Sequence, residues 1–510
     1  MTKYLSVLSI LSITVILLGV NRGFDFSDEG LYLLLADPQQ QNIGGVYNYD
    51  LFFKLIYHFT GVEVGIVGSR LIRLLSYLAG ALALSVFWKN LNQQLKITLP
   101  VFLLSLSGLI AGYSFLPPSL SYNSISVVAV CFWLAIISKK SLQPKDWLYL
   151  GLVLMVLFYA KITVCLALGG FTLLFFLLKK SLSLARIALL LLPMLLFEVI
   201  FYGLFLENAL MRLSGEFGFL QQRKDYTFLL LLKYTAVGGF WSFLAGFLFF
   251  AASKAKKYGF QFYPLLLILA LSSLLLVFYF TLITSEWSHL VLLLTFAGIA
   301  WVLGDLQNND LKKDELLLLI ALVLLPFILH FGSNVYWMRL GIHYWVFWLL
   351  ALVFLFQKKG YPKPMQLYVF ASSISLVLVV FGIWLTPFEG AYLWQATERW
   401  EYRTGKSIYI SPAQTDFLRL IDEEIKKSKP RQLVAFYSNP GILYLLGKNQ
   451  PYSPGYWKPS QARLFFHSGS DLAMILFNEL EEFPFERADW TTQKEVIQPN
   501  GEKLLIIWKK

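Results

Sequence analysis

Two adjacent carboxylates, Asp28 and Glu29, are the side chains of this sequence best placed to do chemistry. They lie within residues 24–30, a few positions beyond the first long apolar segment. A carboxylate held where lipid ends and water begins can act as a general base toward a molecule that arrives from the aqueous side. The simpler interpretation is that both are solvated acids beside an apolar segment, and Asp25 and Asp50 compete for the same role. We take Asp28 and Glu29 as the catalytic candidates.

A lysine, Lys161, interrupts the long apolar stretch between residues 147 and 178. A lysine near the centre of a bilayer costs about 3 kcal/mol, so its side chain is expected to face the helix bundle or to lie at a helix end. One interpretation is a tight turn between two short spans, from which the lysine reaches the interface. The other is that Lys161 neutralises an anionic lipid headgroup.

Arginines and an aromatic cluster provide further candidates for binding. Arg70 and Arg73 lie early in the second apolar segment, either as interface anchors or as a phosphate clamp or partner for a loop acid. Arg339, His343 and Tyr344 lie together at the start of a late apolar segment. None of them has the spacing of a zinc protease, a Walker motif or a nucleophile elbow.

Glu286 and His289 occupy a separate turn. Histidines in two different turns are weak grounds for a metal site, and no metal ligand is predicted.

The elements that must position these residues are apolar helices. The chain has 510 residues, 57% hydrophobic and only 15% charged, whereas a soluble domain carries about 25% charged residues. Apolar runs recur that are long enough to cross a hydrocarbon core of about 30 Å. The sequence predicts an all-α polytopic membrane protein with about 13 spans. These lie near residues 4–20, 64–88, 98–113, 120–138, 147–162, 163–178, 187–206, 227–252, 260–283, 287–303, 316–331, 341–356 and 366–386.

Charge in the connections between these spans predicts the orientation. Lysine-rich connections alternate with connections that have few basic residues. Because basic residues stay on the cytoplasmic side, the N-terminus is predicted to be cytoplasmic and the loop at 21–63 to be outside. An odd number of spans then puts the C-terminus outside as well, and a bacterial plasma membrane fits best. The net charge of +12 reflects this topology, and nucleic-acid binding is not predicted.

Residues 387–510 have a different composition from the apolar residues 1–386, with many charges of both signs and no span. Apolar periodicity in this part predicts strands at 407–410, 432–437 and 503–508, an amphipathic helix at 412–427 and a short helix opening at 439. The pattern indicates a small α/β domain on the outer face.

In the first loop, residues 31–36 and 49–59 are amphipathic but too short to span. We expect two helices there that lie in the plane of the membrane interface.

The order of these features resembles the GT-C glycosyltransferase superfamily. The resemblance rests on Asp28-Glu29 in the first loop and on Arg73-Leu74-Leu75-Ser76-Tyr77-Leu78-Ala79-Gly80 in the second span. Lys161 falls where this group often has a Lys-Gly pair, and residues 339–350 resemble its late span rich in Arg and Tyr. The protein O-mannosyltransferases and the lipid A aminoarabinose transferases look most similar.

The resemblance implies an inverting transfer of a sugar from a polyprenyl-phosphate donor to an acceptor on the outer face. Asp28 is implied to be the base or the acceptor anchor. No cofactor is firmly implied, and a divalent metal ion is left open. The implied partners are the lipid-linked sugar, the bilayer and an acceptor that can be a glycan, a lipid or a protein.

The chain departs from the aminoarabinose transferases at two places that bear on the phosphate. Leu31 stands where they have a basic residue, and residues 47–50 lack their acid-Lys-Pro segment. We therefore expect Lys161, Arg73 and Arg339 to hold the donor phosphate. His343, Tyr344 and Tyr32 are the expected substrate-binding residues.

Two other function classes stay open. A transporter or flippase would need ionisable residues near the bilayer midplane, for which Glu198 and Lys233 are candidates, but no convincing internal repeat accompanies them. A non-catalytic envelope-assembly protein would use the C-terminal domain for docking.

Overall fold

The computed structural model describes residues 2–281, 287–307, 310–361, 364–388, 390–430, 432–437, 439–466, 474–478 and 482–509. Glu286, singled out in the sequence, lies outside these residues. The helices before the C-terminal domain are α1 (Thr2–Gly19), α2 (Asp28–Leu35), α3 (Asp50–Thr60), α4 (Gly65–Leu91), α5 (Leu99–Ile110), α6 (Tyr122–Ile137), α7 (Pro144–Ala160), α8 (Ile162–Leu178), α9 (Leu184–Phe205), α10 (Ala209–Gln221), α11 (Phe228–Lys257), α12 (Tyr263–Thr281), α13 (Ser288–Asp305), α14 (Lys313–His330), α15 (Trp337–Leu340), α16 (Trp345–Lys359) and α17 (Pro364–Val380).

Every predicted span falls on one of these helices. Within the described ranges, eight helices are long and apolar enough to cross a membrane: α1, α4, α9, α11, α12, α13, α17 with its last π-helical turn, and the continuous stretch from α15 through α16. Helices α5, α6 and α8 are apolar but shorter. The chain thus has the helices of a multi-pass membrane protein, and the higher number of spans stays a prediction.

Helix α16 forms the centre of the helical part. Its residues from Trp345 to Leu355 are all buried, and it packs against α5, α13 and α14. By contrast, α9 and α12 bury few residues and expose leucines, phenylalanines and tyrosines over most of their length. Apolar side chains exposed in this way are suited to lipid and not to water.

The first loop differs from the prediction in one respect. Helix α3 is amphipathic as expected, but every residue of α2 from Glu29 to Leu35 is buried. A helix covered on all sides does not lie at a lipid surface, so the expected interfacial position of residues 31–36 is wrong. A short helix of the C-terminal domain crosses α2 and covers it.

Helix α10 was not predicted. Its Arg212, Glu216 and two glycines lower the apolar content of residues 209–221 below that of a span. The side chain of Asn208 accepts a hydrogen bond from the N–H of Met211 at 2.8 Å and begins the helix. Glu198, a candidate for transport from its sequence position, accepts bonds from the Tyr159 hydroxyl (2.5 Å) and the Leu210 N–H (3.1 Å).

The C-terminal domain contains β1 (Glu398–Arg403), β2 (Lys406–Ile410), α18 (Pro412–Ser428), β3 (Leu433–Ala435), α19 (Pro440–Leu445), α20 (Pro459–Phe465), β4 (Met474–Asn478), β5 (Trp490–Ile497) and β6 (Lys503–Lys509). Strands β1 and β2 form an antiparallel hairpin. The other strands form a sheet in the order β3-β4-β6-β5, in which only β3 and β4 are parallel. The predicted elements β2, α18, β3, α19 and β6 are confirmed.

The first loop is built into this domain. The backbone of Gly23 donates to the Tyr409 carbonyl at 2.8 Å, and Tyr409 donates to Asn21 at 2.9 Å, so the loop extends the β1–β2 sheet. The Gln40 side chain bonds the Gln450 backbone twice: its Nε2 donates to the Gln450 carbonyl at 2.7 Å, and its Oε1 accepts from the Gln450 N–H at 2.9 Å. The residues around Asp28 are therefore positioned both by the helical part of the chain and by the C-terminal domain.

Candidate functional site

Helix α2 begins with its own capping group. Asp25 accepts hydrogen bonds from the N–H groups of Ser27 (3.0 Å) and Glu29 (2.9 Å) through its two carboxylate oxygens. Asp28 is the first residue of the helix and is half-buried. A carboxylate in the first turn is stabilised by the partial positive charge of the helix N-terminus. The local sequence thus places the Asp28 carboxylate in the first turn of α2.

Glu29, by contrast, is the centre of a buried ion pair. Its carboxylate accepts from Arg70 through Nε at 2.9 Å and Nη2 at 2.8 Å, and from the Ser119 hydroxyl at 2.5 Å. The side chains of Arg70 and Glu29 are 2% and 1% exposed. Arg70 also donates to the carbonyls of Val20, Arg22 and Gly23. These contacts give Glu29 a structural role and show Arg70 as the partner of a loop acid.

A tyrosine cluster surrounds Asp28. The hydroxyls of Tyr32, Tyr49 and Tyr122 lie within electrostatic range of its carboxylate. Burial raises the pKa of Tyr32 well above its ordinary value, and the negative charge of Asp28 raises it further. The Tyr32 ring meets Tyr122 edge-on at 6.1 Å, and Tyr47 stacks on Tyr122 at 4.1 Å between ring centroids. We call Tyr32, Tyr47, Tyr49 and Tyr122 the tyrosine cluster.

Tyr47 adopts a strained backbone to make this stack. Its φ is +51°, in the left-handed region where a bulky side chain costs about 1–3 kcal/mol. The Asn42 amide holds the conformation by donating to the carbonyls of Tyr47 (2.9 Å) and Val46 (3.2 Å). Strain that is maintained by a dedicated side chain is typical of a functional position.

Lys161 lies at the break between α7 and α8, as one interpretation of the sequence predicts. It is only 7% exposed, and its Nζ donates to the Leu329 carbonyl at 2.5 Å and lies 5.5 Å from the ring centroid of Tyr122. The Tyr344 hydroxyl lies within hydrogen-bond distance of the same carbonyl (3.3 Å) and of Asn123 Oδ1 (3.4 Å), and its single proton serves one of them at a time. Within the described ranges no carboxylate forms a salt bridge with Lys161. A buried ammonium group without a carboxylate partner is suited to bind an anion.

A cavity of about 620 Å³ opens beside Lys161. Apolar side chains from α7, α8, α10 and α11 make most of its wall. We call it the Lys161 cavity; its polar wall includes Asn48, Tyr47, Tyr122, Lys161, Glu216, Arg223 and Tyr226. Its volume lies in the range of about 300–1,000 Å³ typical of sites for small ligands.

Lys161 is the one predicted site residue that lines this cavity. Tyr32 contacts Tyr122, which lines the cavity, and Tyr344 shares the Leu329 carbonyl with Lys161. Arg73 is deep in the core, where it donates to the carbonyls of Pro117 (2.5 Å) and Gly112 (3.3 Å).

Arg73 also stacks 4.1 Å from the Tyr113 ring, and His343 is buried against Gly112. Arg339 lies over the Phe115 ring at 4.6 Å. The three predicted phosphate-binding residues are therefore not brought together.

Several residues of the site were missed in the sequence. Glu216 belongs to α10 and Arg223 follows it; this helix is not apolar enough to be recognised in the sequence. Asn48 and Tyr47 lie in a loop whose importance is visible only from its contacts. Tyr122 had a weak signal, because it follows the Pro117-Pro118 pair that shapes the turn before α6. Among the described residues no group of three or more His, Cys, Asp or Glu side chains is arranged to hold a metal ion.

Compared with models of known protein families and with functionally characterised proteins, the chain gives no match.

Proposed function

We propose that the protein transfers a sugar from a polyprenyl-phosphate donor to an acceptor on the membrane face that carries the C-terminal domain. The observation that carries this proposal is the Lys161 cavity, which joins apolar walls to a buried ammonium group that has no carboxylate partner among the described residues. An anionic headgroup attached to a long hydrocarbon chain matches both properties. The resemblance of the loop and span motifs to the GT-C superfamily supports the same assignment.

The proposed reaction is a displacement at the anomeric carbon of the sugar. The acceptor oxygen forms the new bond, and the bond from the anomeric carbon to the phosphate oxygen breaks with its electron pair staying on the phosphate. Lys161 stabilises the negative charge on the leaving polyprenyl phosphate. The acceptor proton passes to Asp28, a step that general-base catalysis accelerates by about 10²–10⁴-fold.

The tyrosine cluster supports a connection between these two residues. Tyr122 lies within electrostatic range of Asp28 on one side and 5.5 Å from the Lys161 Nζ on the other. A sugar bound next to Tyr122 would have its phosphate near Lys161 and its acceptor near Asp28. Because Tyr32 and Tyr49 are buried in the same cluster, their rings exclude water from this region and strengthen the electrostatic contacts.

The test is mass spectrometry of lipid-linked sugars from cells with the wild-type protein, without the protein, and with Asp28→Asn or Lys161→Met. We expect one polyprenyl-phosphate sugar to accumulate in the deletion strain and in both variants. Asp416→Asn and Lys448→Met alter an exposed carboxylate and an exposed amine of the C-terminal domain. These two controls are expected to resemble the wild type.

The outcomes separate the donor class from the residue roles. Accumulation in the deletion strain but not with Asp28→Asn would retain the donor and remove Asp28 as the base. No accumulation in any strain would contradict the transferase, and flux of an envelope precursor would then be measured, as the transporter alternative requires.

A further inference from the structure

Glu216 is a half-buried carboxylate on the wall of the Lys161 cavity that the proposed reaction does not use. Helix α10 presents one face to the cavity through Ala209, Leu213, Glu216 and Leu220, which follow one another at helical spacing. Every other member of this face is apolar. A charged residue on an otherwise apolar helix face that lines a cavity is an indication of binding.

The cation that acts on Glu216, Arg212, is already engaged with other carboxylates. Arg212, on the same helix, forms a salt bridge with Asp50 at 2.8 Å and another with Glu207. Lys54 also binds Glu207, at 3.2 Å. This network fixes α10 to the first loop and pairs Arg212 with Asp50 and Glu207.

Asn48 is a neutral side chain next to Glu216 and does not compensate its charge. The Asn48 Oδ1 accepts from Arg212 Nη1 at 3.4 Å. No salt bridge involves Glu216 within the described parts of the chain. Burial raises the pKa of Glu216 to about 7, which is the expected sign for a carboxyl that lacks a paired cation.

Lys161 and Glu216 therefore line one cavity with opposite charges and form no salt bridge with each other. A ligand that meets both needs an anion at one end and hydrogen-bond donors at the other. A sugar phosphate has this polarity, since its phosphate is anionic and its ring hydroxyls are donors. Buried polar groups that need such partners reject ligands that lack them.

We propose that Glu216 is a specificity-determining residue that accepts hydrogen bonds from the ring hydroxyls of the transferred sugar. The inference rests on the proposed function, because it assigns Lys161 to the phosphate of the same donor. Glu216 thus distinguishes a sugar-loaded polyprenyl phosphate from the sugar-free product, which has no ring hydroxyls to donate to it.

The experiment measures binding of two probes to the purified full-length protein by ligand-induced thermal stabilisation. One probe is sugar-free polyprenyl phosphate, and the other is the lipid-linked sugar isolated from the deletion strain. Glu216→Gln is expected to weaken binding of the sugar-loaded probe by about 10-fold or more, as for loss of a charge-assisted hydrogen bond. Binding of the sugar-free probe is expected not to weaken, which also shows that the variant is folded.

Two variants keep the result interpretable. Lys161→Met is expected to lose binding of both probes, whereas Glu423→Gln, an exposed position on α18, is expected to bind both like the wild type. Equal affinity of Glu216→Gln and the wild type for the sugar-loaded probe would overturn the role of Glu216. If the wild-type protein binds neither probe, the proposed function itself fails, and with it the assignment of Glu216.

Discussion

At the scale of single residues, the adjacent acids Asp28 and Glu29 have different surroundings. Asp28 is half-buried at the start of α2, next to the tyrosine cluster. Glu29 is buried beneath it, in a two-bond contact with Arg70. Chain neighbours on a helix point about 100° apart, so one carboxylate can face a substrate while the other stabilises the fold.

This difference predicts that substitution of Glu29 lowers the stability of the protein, whereas substitution of Asp28 lowers its turnover. Glu29→Gln leaves the Arg70 guanidinium without its counter-charge, and breaking a buried ion pair costs about 3–5 kcal/mol. We expect a large fall in the unfolding temperature of the purified protein, measured in detergent. Asp28→Asn is expected to unfold near the wild-type temperature while losing turnover. Similar unfolding temperatures for the two variants would show that the Arg70 contact adds little stability.

Glu216 predicts a pH-dependent stability. Its pKa of about 7 lies above its ordinary value of 4.5. Between these values the folded protein keeps a proton that the unfolded chain has lost, so stability falls as the pH rises through this window. Glu216→Gln should therefore raise the stability at pH 8 by up to about 3 kcal/mol and change it little at pH 4. Thermal unfolding at both pH values tests this, and an equal effect at both would contradict it.

The type of a residue and its position in an apolar stretch were enough to single out Asp28 and Lys161. They were not enough to assign Arg73, because an arginine that donates to carbonyls in the core looks the same in sequence as one that binds a phosphate. Glu216 carried no signal, since a glutamate in a polar loop is ordinary until the loop folds over a cavity. Its pairing with Lys161 depends on a tertiary contact that no local pattern contains.

At the scale of elements, the site depends on the crossing of α2 and α19. A Cβ atom added to Gly30 would lie 2.2 Å from the Cα of Gly441, and one added to Gly441 would lie 2.8 Å from the Phe26 backbone. Only glycine lets the two helices approach so closely. This contact connects the helix that carries Asp28 to the C-terminal domain.

We expect Gly30→Ala to destabilise the protein by about 1–3 kcal/mol, as for overpacking of a rigid contact, and to lower sugar transfer by moving α2. Gly170→Ala is the matched control, because a Cβ at Gly170 has no atom within 4 Å and alanine favours a helix interior. Thermal unfolding and turnover of both variants test the crossing. Equal behaviour of the two variants would mean that α2 can shift without loss.

The sequence predicted elements well where a single periodicity dominates. Long apolar runs and the amphipathic α18 belong to this class, and the break at Lys161 was placed correctly. The strand β5 was missed because it is an edge strand whose residues 491–495 are all polar or charged, so it has no apolar alternation. The burial of α2 was missed because its covering partner, α19, is more than 400 positions away, and such pairings are invisible to a local pattern.

At the scale of the whole molecule, the contacts between the first loop and the C-terminal domain restrict the number of membrane crossings. Residues 21–23 follow α1 and pair with β2, so both parts lie on one face. If α1 crosses the membrane, the chain must cross an odd number of times before the domain begins. Eight long helices give an even number, so an odd total requires either that one of them does not cross or that shorter helices such as α5, α6 and α8 contribute crossings. An odd total agrees with the predicted topology.

This topology predicts which positions a membrane-impermeant thiol reagent reaches. The described cysteines, Cys131 and Cys165, are replaced by alanine, and a single cysteine is introduced at Lys448 in the C-terminal domain or at Lys313 at the start of α14. Both lysines are exposed. Since basic connections stay in the cytoplasm, intact spheroplasts should label Lys448→Cys, and only permeabilised ones Lys313→Cys. The reverse pattern would put Asp28 on the cytoplasmic face, and the acceptor would then have to be a cytoplasmic molecule. It would also mean that the distribution of basic residues does not predict the orientation of this chain.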